Sequence, residues 1–259
     1  MAEFDKFRGP NVAVDIAVLT LDEGHLVVLV QDRVEAPRGK VLPGRFLRKG
    51  ETVGDGLRAA LMKVGLDIGP IDAGLDGGAR ASSAAGRPRA HLIGVFDKPG
   101  RDQRSTWSMS LAHYLVQPRD RLREVDGEFV PIRPDGSIKP KLLFDHDAIV
   151  KKAARELRAQ YELTPDPENL SGSDELTLPQ LQQIHQWVLG EEVRTDTFRR
   201  RMEMLLAEVP DPNDPRGTRQ KTRPSGDRGG PPTRVWKKIS ATGGTPRESH
   251  RLLQLPRRT

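Results

Sequence analysis

Two apolar runs open the patterned part of this chain. Val12–Leu21 and Leu26–Gln31 are rich in Val, Ile and Leu and are separated by Asp22-Glu23-Gly24, which predicts two strands joined by a hairpin turn. The second run is apolar almost throughout, as suits a strand covered on both faces. Pro37, Gly39, Pro43 and Gly44 then mark a loop. From Val53 the period changes: Val53, Leu57, Leu61 and Val64 recur at helical spacing, and the run ends at Gly65. Gly69–Pro88 is rich in Gly, Ala and Ser and reads as a mobile connection. Strand patterns resume at His91–Phe96 and Ser108–Val116. Hairpins around one clear helix predict a mixed α/β domain for the front half.

The pattern changes after Asp145. His146–Tyr161 is a charged helix pattern, and Thr177–Leu189 and Thr195–Leu206 are two further helices around Gly190-Glu191-Glu192-Val193-Arg194. Pro210–Pro232 holds Pro, Gly, Asp and Arg with almost no apolar residue, and is expected to be disordered. Arg234–Ser240 and Arg251–Leu255 read as short strands flanking Gly243-Gly244. Three helices followed by a β-hairpin is the element order of a winged helix-turn-helix. The expected division is an α/β sandwich over 1–143 and an α+β winged-helix domain over 144–259.

At 259 residues the chain is long enough for two such domains. Charge separates its two ends. Residues 1–150 carry 22 Lys/Arg against 21 Asp/Glu, whereas residues 216–259 carry 12 against 2. A neutral front and a basic back suit a polyanion partner at the C-terminal end. The absence of cysteine excludes disulfides, thiolate metal sites and cysteine nucleophiles. Met1–Pro10 has no hydrophobic signal core, and Asp15 and Asp22–His25 interrupt the most apolar stretches, so no membrane span and a cytoplasmic location are expected.

Leu42-Pro43-Gly44-Arg45-Phe46-Leu47-Arg48-Lys49-Gly50-Glu51-Thr52 resembles the opening of a Nudix box, with Arg45 in place of its second glycine. Leu57, Arg58, Leu61, Gly65 and Leu66 fit the framework of the helix that follows. Its acids are missing: Ala60 and Lys63 stand where glutamates belong, and the segment is one residue short. Val28–Arg33 resembles the strand that ends in a phosphate-contacting arginine. Phe96-Asp97-Lys98-Pro99-Gly100-Arg101-Asp102-Gln103-Arg104 resembles a loop of ADP-ribose-type Nudix domains.

Nudix hydrolases attack a diphosphate with water activated by a divalent ion, and the ion needs hard oxygen ligands. Carboxylates three or four residues apart share one helix face and grip the ion together. With alanine and lysine there, Glu51 is the one acid left from the pattern. Lys63 would instead neutralise a phosphate directly, favouring binding without cleavage. The resemblance therefore implies a non-catalytic site with no bound metal for an ADP-ribose-like nucleotide. Its contacts would come from Arg33, Arg45, Phe46, Glu51, Lys63, Phe96, Arg101 and Arg104, since guanidinium pairs bidentately with phosphate.

In the back half, Leu176-Thr177-Leu178-Pro179-Gln180-Leu181-Gln182, Trp187-Val188-Leu189-Gly190 and Thr197-Phe198-Arg199-Arg200-Arg201-Met202 resemble the winged helix of Nudix-related regulators of NAD metabolism, the NrtR family. In that family's phrase an asparagine stands at Thr197 and a lysine at Arg201. The resemblance implies a homodimeric repressor of NAD-biosynthesis genes, bound to a pseudo-palindromic operator and released by an ADP-ribose-like nucleotide. Related regulators serve other sugar pathways, and the residues do not choose between targets. Arg194, Thr195, Thr197, Arg199 and Arg200 lie near the start of the helix expected to enter the major groove. Arginines there read guanine edges or hold phosphates, and the sequence does not assign which. Lys237 and Lys238 are expected to meet phosphates from the wing. His146 and His185 have no carboxylate or histidine at ligand spacing and read as packing or cap residues. Two rivals are an ADP-ribose hydrolase with relocated metal ligands and an RNA-binding pseudo-enzyme; the missing helix acids oppose the first, the helix-turn-helix phrase the second.

Overall fold

The computed structural model describes residues 9–74, 88–105, 107–216, 219–225 and 230–238. β1 (Asn11–Asp22) and β2 (His25–Arg33) form the expected hairpin. Its turn residues, Glu23 and Gly24, sit at φ of 45° and 84°, the sign that lets a two-residue turn follow the right-handed twist of the strands. β3 (Gly39–Val41) adds to β2, and β4 (Gly44–Phe46) adds to β1. β5 (Ala90–Phe96) pairs with β6 (Ser108–Val116), and β7 (Glu128–Pro131) pairs with β2. β6 lies parallel to β1 from Asn11↔Ser108 to Leu19↔Val116, which closes a mixed seven-stranded sheet.

A helix covers each face of that sheet. Alternate residues of β1 point to opposite sides. Val14, Ile16 and Val18 meet Leu57 and Leu61 of α1 (Val53–Met62), while Ala17 and Leu19 share a core with α2 (His146–Leu163). α1 starts at a reciprocal cap: the Thr52 hydroxyl accepts from the Asp55 N–H, and the Asp55 carboxylate accepts from the Thr52 N–H. The expected α/β sandwich is present, with one revision. The sequence pattern groups 146–161 with the back half, but Ile149, Val150, Ala153, Ala154 and Leu157 bury their stripe on the first sheet. That sheet's second face is apolar, and α2 covers it together with Ile184 and Val188 of the later helix at 178–189.

The remaining elements are β8 (Glu175–Thr177), α3 (Leu178–Leu189), α4 (Thr195–Glu203), β9 (Leu206–Glu208), β10 (Thr222–Ser225) and β11 (Gly230–Lys238). β11 is central, with β8 on one side, β9 on the other and β10 folded back along its first half. Leu176, Leu181, Phe198, Met202, Leu206 and Trp236 form the core beneath. Helix, strand, helix, helix and a β-hairpin make this a winged helix-turn-helix.

Three details differ from the sequence reading. α4 stops at Glu203, and Leu206 opens a strand. The 210–232 stretch is not disordered throughout. Lys221 donates its N–H to the Val209 carbonyl at 2.7 Å, and Val235 donates to the Lys221 carbonyl at 2.8 Å, so the ladder resumes after a loop tied by Asp211 and Arg219. Backbone pairing with β11 supplies there what the apolar-poor composition lacks. The wing strands are accordingly 222–225 and 230–238; Gly243-Gly244 and Arg251–Leu255 lie outside the described residues, as do residues 75–87 of the expected mobile connection.

α2 also joins the two sheets. Ile184 and Val188 of α3 complete the core over the first sheet. The Arg158 guanidinium donates to the carbonyls of Val188 (2.9 Å), Pro134 (2.7 Å) and Arg133 (3.1 Å), pinning α3 to α2. Further on, Tyr161 meets His185 edge-on at 5.1 Å, and His185 meets Phe198 of α4 at 5.0 Å. The Tyr161 hydroxyl donates to Asp166 at 2.7 Å, and Asp166 also accepts from the Leu170 and Ser171 N–H groups. Lys238, at the end of β11, completes this knot with its ammonium 3.1 Å from the Asp166 carboxylate.

Two predictions follow from this packing. Burial pushes the His185 imidazole down to about 4 from its ordinary 6.5. The neutral ring is favoured in the fold, so stability is complete above about pH 6.5 and declines as pH falls toward 4, by up to about 3 kcal/mol. Urea unfolding from pH 7 to 4 should show this loss, and His185→Phe should flatten it. Lys238→Met strips a buried carboxylate of its ion partner and should cost about 3 kcal/mol. Lys237→Ala, at an exposed position, should stay within about 0.5 kcal/mol.

Candidate functional site

A cavity of about 260 Å³ opens where β1, β2, β4, the end of α1, the loop after β5 and the start of α2 converge. β4 reaches β1 closely enough to floor it because Gly44 has no side chain. A Cβ there would fall 2.2 Å from the Asp15 carboxylate and 2.9 Å from the Val14 carbonyl. Arg33, Arg45, Phe46, Lys63, Arg101 and Arg104, all singled out in the sequence, line the cavity. Glu51 sits behind the wall, bound to Arg45 at 3.0 Å. Phe96 does not reach the cavity; it ends β5 and packs against the core on the α2 side. The sequence reading missed Asp15, Glu35, Asp102, Phe144 and His146, which also line it.

Each of its arginines is already held by a carboxylate. Arg33 meets Glu35 at 3.0 Å, Arg45 meets Glu51 at 3.0 Å, and Arg104 meets Asp102 at 2.6 Å. The Arg104 guanidinium also lies 5.1 Å from the centre of the Phe144 ring and 6.0 Å from that of Phe46. Arg101 is almost wholly buried and chelates Asp145 through two nitrogens at 2.8 and 2.6 Å, with Asp15 at 3.1 Å. Asp145 is the residue that enters α2. His146 follows it. Its Nδ1 accepts the Leu42 N–H at 2.9 Å, which leaves the Nε2 side facing Asp15 at 3.5 Å. The expectation that His146 has no carboxylate partner is thus corrected: the partner comes from β1, far away in sequence. Burial alone would raise the Asp15 carboxyl, but His146 and Arg101 together hold it well below the usual carboxylate range.

The residues do not suit the divalent ion that Nudix chemistry requires. Glu51 accepts from the Arg48 N–H with one oxygen (2.7 Å) and from Arg45 with the other, which spends it on folding the loop. Those contacts, the Arg48 N–H foremost, keep its carboxyl below the ordinary value. Ala60 is fully buried in the core under α1, and Lys63 puts a positive charge on the wall. Among the described residues no group of three or more His, Asp or Glu is placed to hold a metal ion.

A second cavity, about 430 Å³, lies where the end of β1 meets α3 and carries Arg119 and Arg223. Asp22 and Glu175 face these arginines at 3.1 and 3.7 Å. It holds fewer cations than the first.

The helix-turn-helix runs from α3 through Gly190–Arg194 into α4. Thr177 caps α3 reciprocally with Gln180, and the Gln182 amide donates to the Val193 carbonyl (2.8 Å) and to the Thr195 hydroxyl (3.1 Å), fixing the turn. Phe198 and Met202 face inward, which leaves Arg194, Thr195, Thr197, Arg199 and Arg200 exposed at the start of α4. Arg199 is shared with Glu203 at 2.8 Å, whereas Arg200 forms no ion pair among the described residues. Lys237 is exposed on the wing. Lys238 is not available to phosphate: Asp166, Asn169 and Ser171 hold its ammonium. The β-strand period puts successive lysines on opposite faces, so one must turn inward.

No family model matches the chain. An ADPR-responsive transcriptional repressor, NtrR, of Acinetobacter baylyi is 25% identical over 214 residues, which is 78% of this chain and 76% of that protein. The crystal structure of Shewanella oneidensis NrtR complexed with a 27mer DNA superposes with a TM-score of 0.61 at 21% identity, over 88% of this chain and 94% of that one. A MutT/nudix family protein from Enterococcus faecalis superposes with a TM-score of 0.62 at 15% identity, over 92% and 89% of the two chains. No helix among the described residues is long and apolar enough to cross a membrane. In sequence over most of its length, and in fold across both sheets, the chain is similar to the Nudix-related transcriptional regulators of the NrtR type.

Proposed function

We propose that this chain is a transcriptional repressor in which an ADP-ribose-like nucleotide at the front cavity weakens the grip of the winged helix on operator DNA. One observation carries the reading. A cation-lined cavity with, among the described residues, no carboxylate set for a metal is joined by a single helix, α2, to a helix-turn-helix whose second helix exposes arginines and threonines. Asp145 and His146 at the head of α2 contact the cavity, and Tyr161 near its foot reaches α4 through His185. The 18 residues of α2 span about 27 Å. A nucleotide that draws Arg101 from Asp145 changes what holds the head of that helix. The replacement of helix acids by Ala60 and Lys63 supports sensing over hydrolysis. NAD-biosynthesis genes as targets, a homodimer and a pseudo-palindromic operator belong to the same proposal.

Arg194, Thr195, Thr197, Arg199 and Arg200 would then read or clamp the major groove, with Lys237 adding phosphate contact. Arg200→Ala should cost about 1–3 kcal/mol on the operator if it reads a base, and should relax preference at one position. Lys237→Ala should weaken all DNA alike and make the salt slope shallower by about one unit. Fluorescence anisotropy on DNA from upstream of the chain's own gene neighbourhood distinguishes the two.

Coupling between the sites must be reciprocal. Calorimetry should find ADP-ribose binding weakened by bound operator, by the same factor as operator binding is weakened by ADP-ribose. Equal nucleotide affinity with and without operator would refute the sensor, even if both ligands bind.

A further inference from the structure

The charges around the front cavity are unevenly matched. Arg33, Arg45, Arg101 and Arg104 each have a carboxylate within 3.1 Å. Lys63 also lines the cavity, yet it forms no ion pair among the described residues. It is the residue that follows α1, held there by its N–H to the Leu61 carbonyl as the helix cap. That helix carries the metal-binding acids in a catalytic Nudix domain. Its surroundings are mainly positive: Arg45 and Arg48 from the β4 strand and the loop after it, and Arg33 from β2, with Glu35 as the opposing charge. Partial burial and these arginines lower the Lys63 ammonium below its ordinary 10.5. An excess positive charge held beside like charges is an unfilled anion site, because an incoming phosphate relieves the repulsion and meets a donor with no partner to give up.

We propose that the front cavity binds the diphosphate of its nucleotide without a divalent metal, with the Lys63 ammonium standing where the ion would stand. This rests on the nucleotide-sensing reading above and specifies how the charge is met. A metal ion would be repelled by the same wall, since its acids Glu35, Asp15 and Asp102 are spent on Arg33, Arg101 and Arg104, and Glu51 behind it on Arg45. Binding also becomes sensitive to pH in a range where arginine does not titrate. The diphosphate favours protonated Lys63, so affinity is full below its depressed pKa and falls as pH rises through it.

The test is calorimetric titration of ADP-ribose into the full chain, with EDTA and with excess Mg²⁺, between roughly pH 7 and 10.5. The expected result is binding of equal strength with and without metal, weakening toward the alkaline end. Lys63→Gln should bind about tenfold or more weakly at pH 7 and lose the pH dependence. Lys63→Arg should restore affinity and stay insensitive to pH, an outcome that a merely structural role for Lys63 does not produce. Binding that requires Mg²⁺, or Lys63→Gln with unchanged affinity, overturns the metal-free site and leaves the sensor reading standing. No binding of ADP-ribose under any of these conditions overturns both.

Discussion

Everything in this molecule depends on α2 having to bury two sets of side chains at once. Ile149, Val150, Ala153, Ala154 and Leu157 cover the second face of the first sheet, and Tyr161 lies against α3. Tight packing makes such a helix a poor absorber of strain, because its neighbours on both sides have few alternative arrangements. Arg158 reinforces this by tying α3 to the loop after β7 with three charge-assisted hydrogen bonds. A change in how the head of α2 is held therefore has a route to its foot that does not pass through a flexible linker.

The cavity is built from the same economy. Its arginines are held in place by carboxylates from β1, the β2–β3 loop, the β4–α1 loop, the loop after β5 and the start of α2, so their positions are set before any ligand arrives. Pre-organised donors cost little ordering on binding, but a phosphate must compete with the carboxylates already present. Arg101 is the extreme case: it is nearly inaccessible and bound to Asp145 and Asp15 together. It joins the cavity wall to Asp145, the residue just before α2. The wing shows the opposite choice. Lys238 gives up contact with solvent to close the Asp166 knot, which fixes the end of β11 against the segment between α2 and α3.

Much of the local structure was legible in the chain. The β1–β2 hairpin, α1, the β5 and β6 strands, and α2 to α4 all appear where apolar periodicity placed them, because this signal is local. Six of the eight residues expected at the cavity line it, carried by the end of β2, by β4, by the end of α1 and by the loop after β5. Phe96 failed because the last residue of an edge strand can turn either way, and its neighbours on α2 decide. Lys238 failed because adjacent lysines look alike until a strand's pairing assigns each a face. The described parts of the 210–232 stretch looked structureless because their order comes from backbone bonds to β11, which leave no trace in side-chain composition.

By itself the sequence determined the main helices and the long strands, the neutral front and the basic back, for these depend on residue identity and spacing alone. The tertiary structure decided who pairs with whom. It brought Asp15 to His146 and Arg101 to Asp145, matched every cavity arginine with an acid, left Lys63 without one, and gave α2 to the first sheet. Those outcomes rest on contacts between residues far apart in the chain. Such contacts are fixed by which apolar faces remain uncovered once the local elements have formed, and no window along the sequence contains that information.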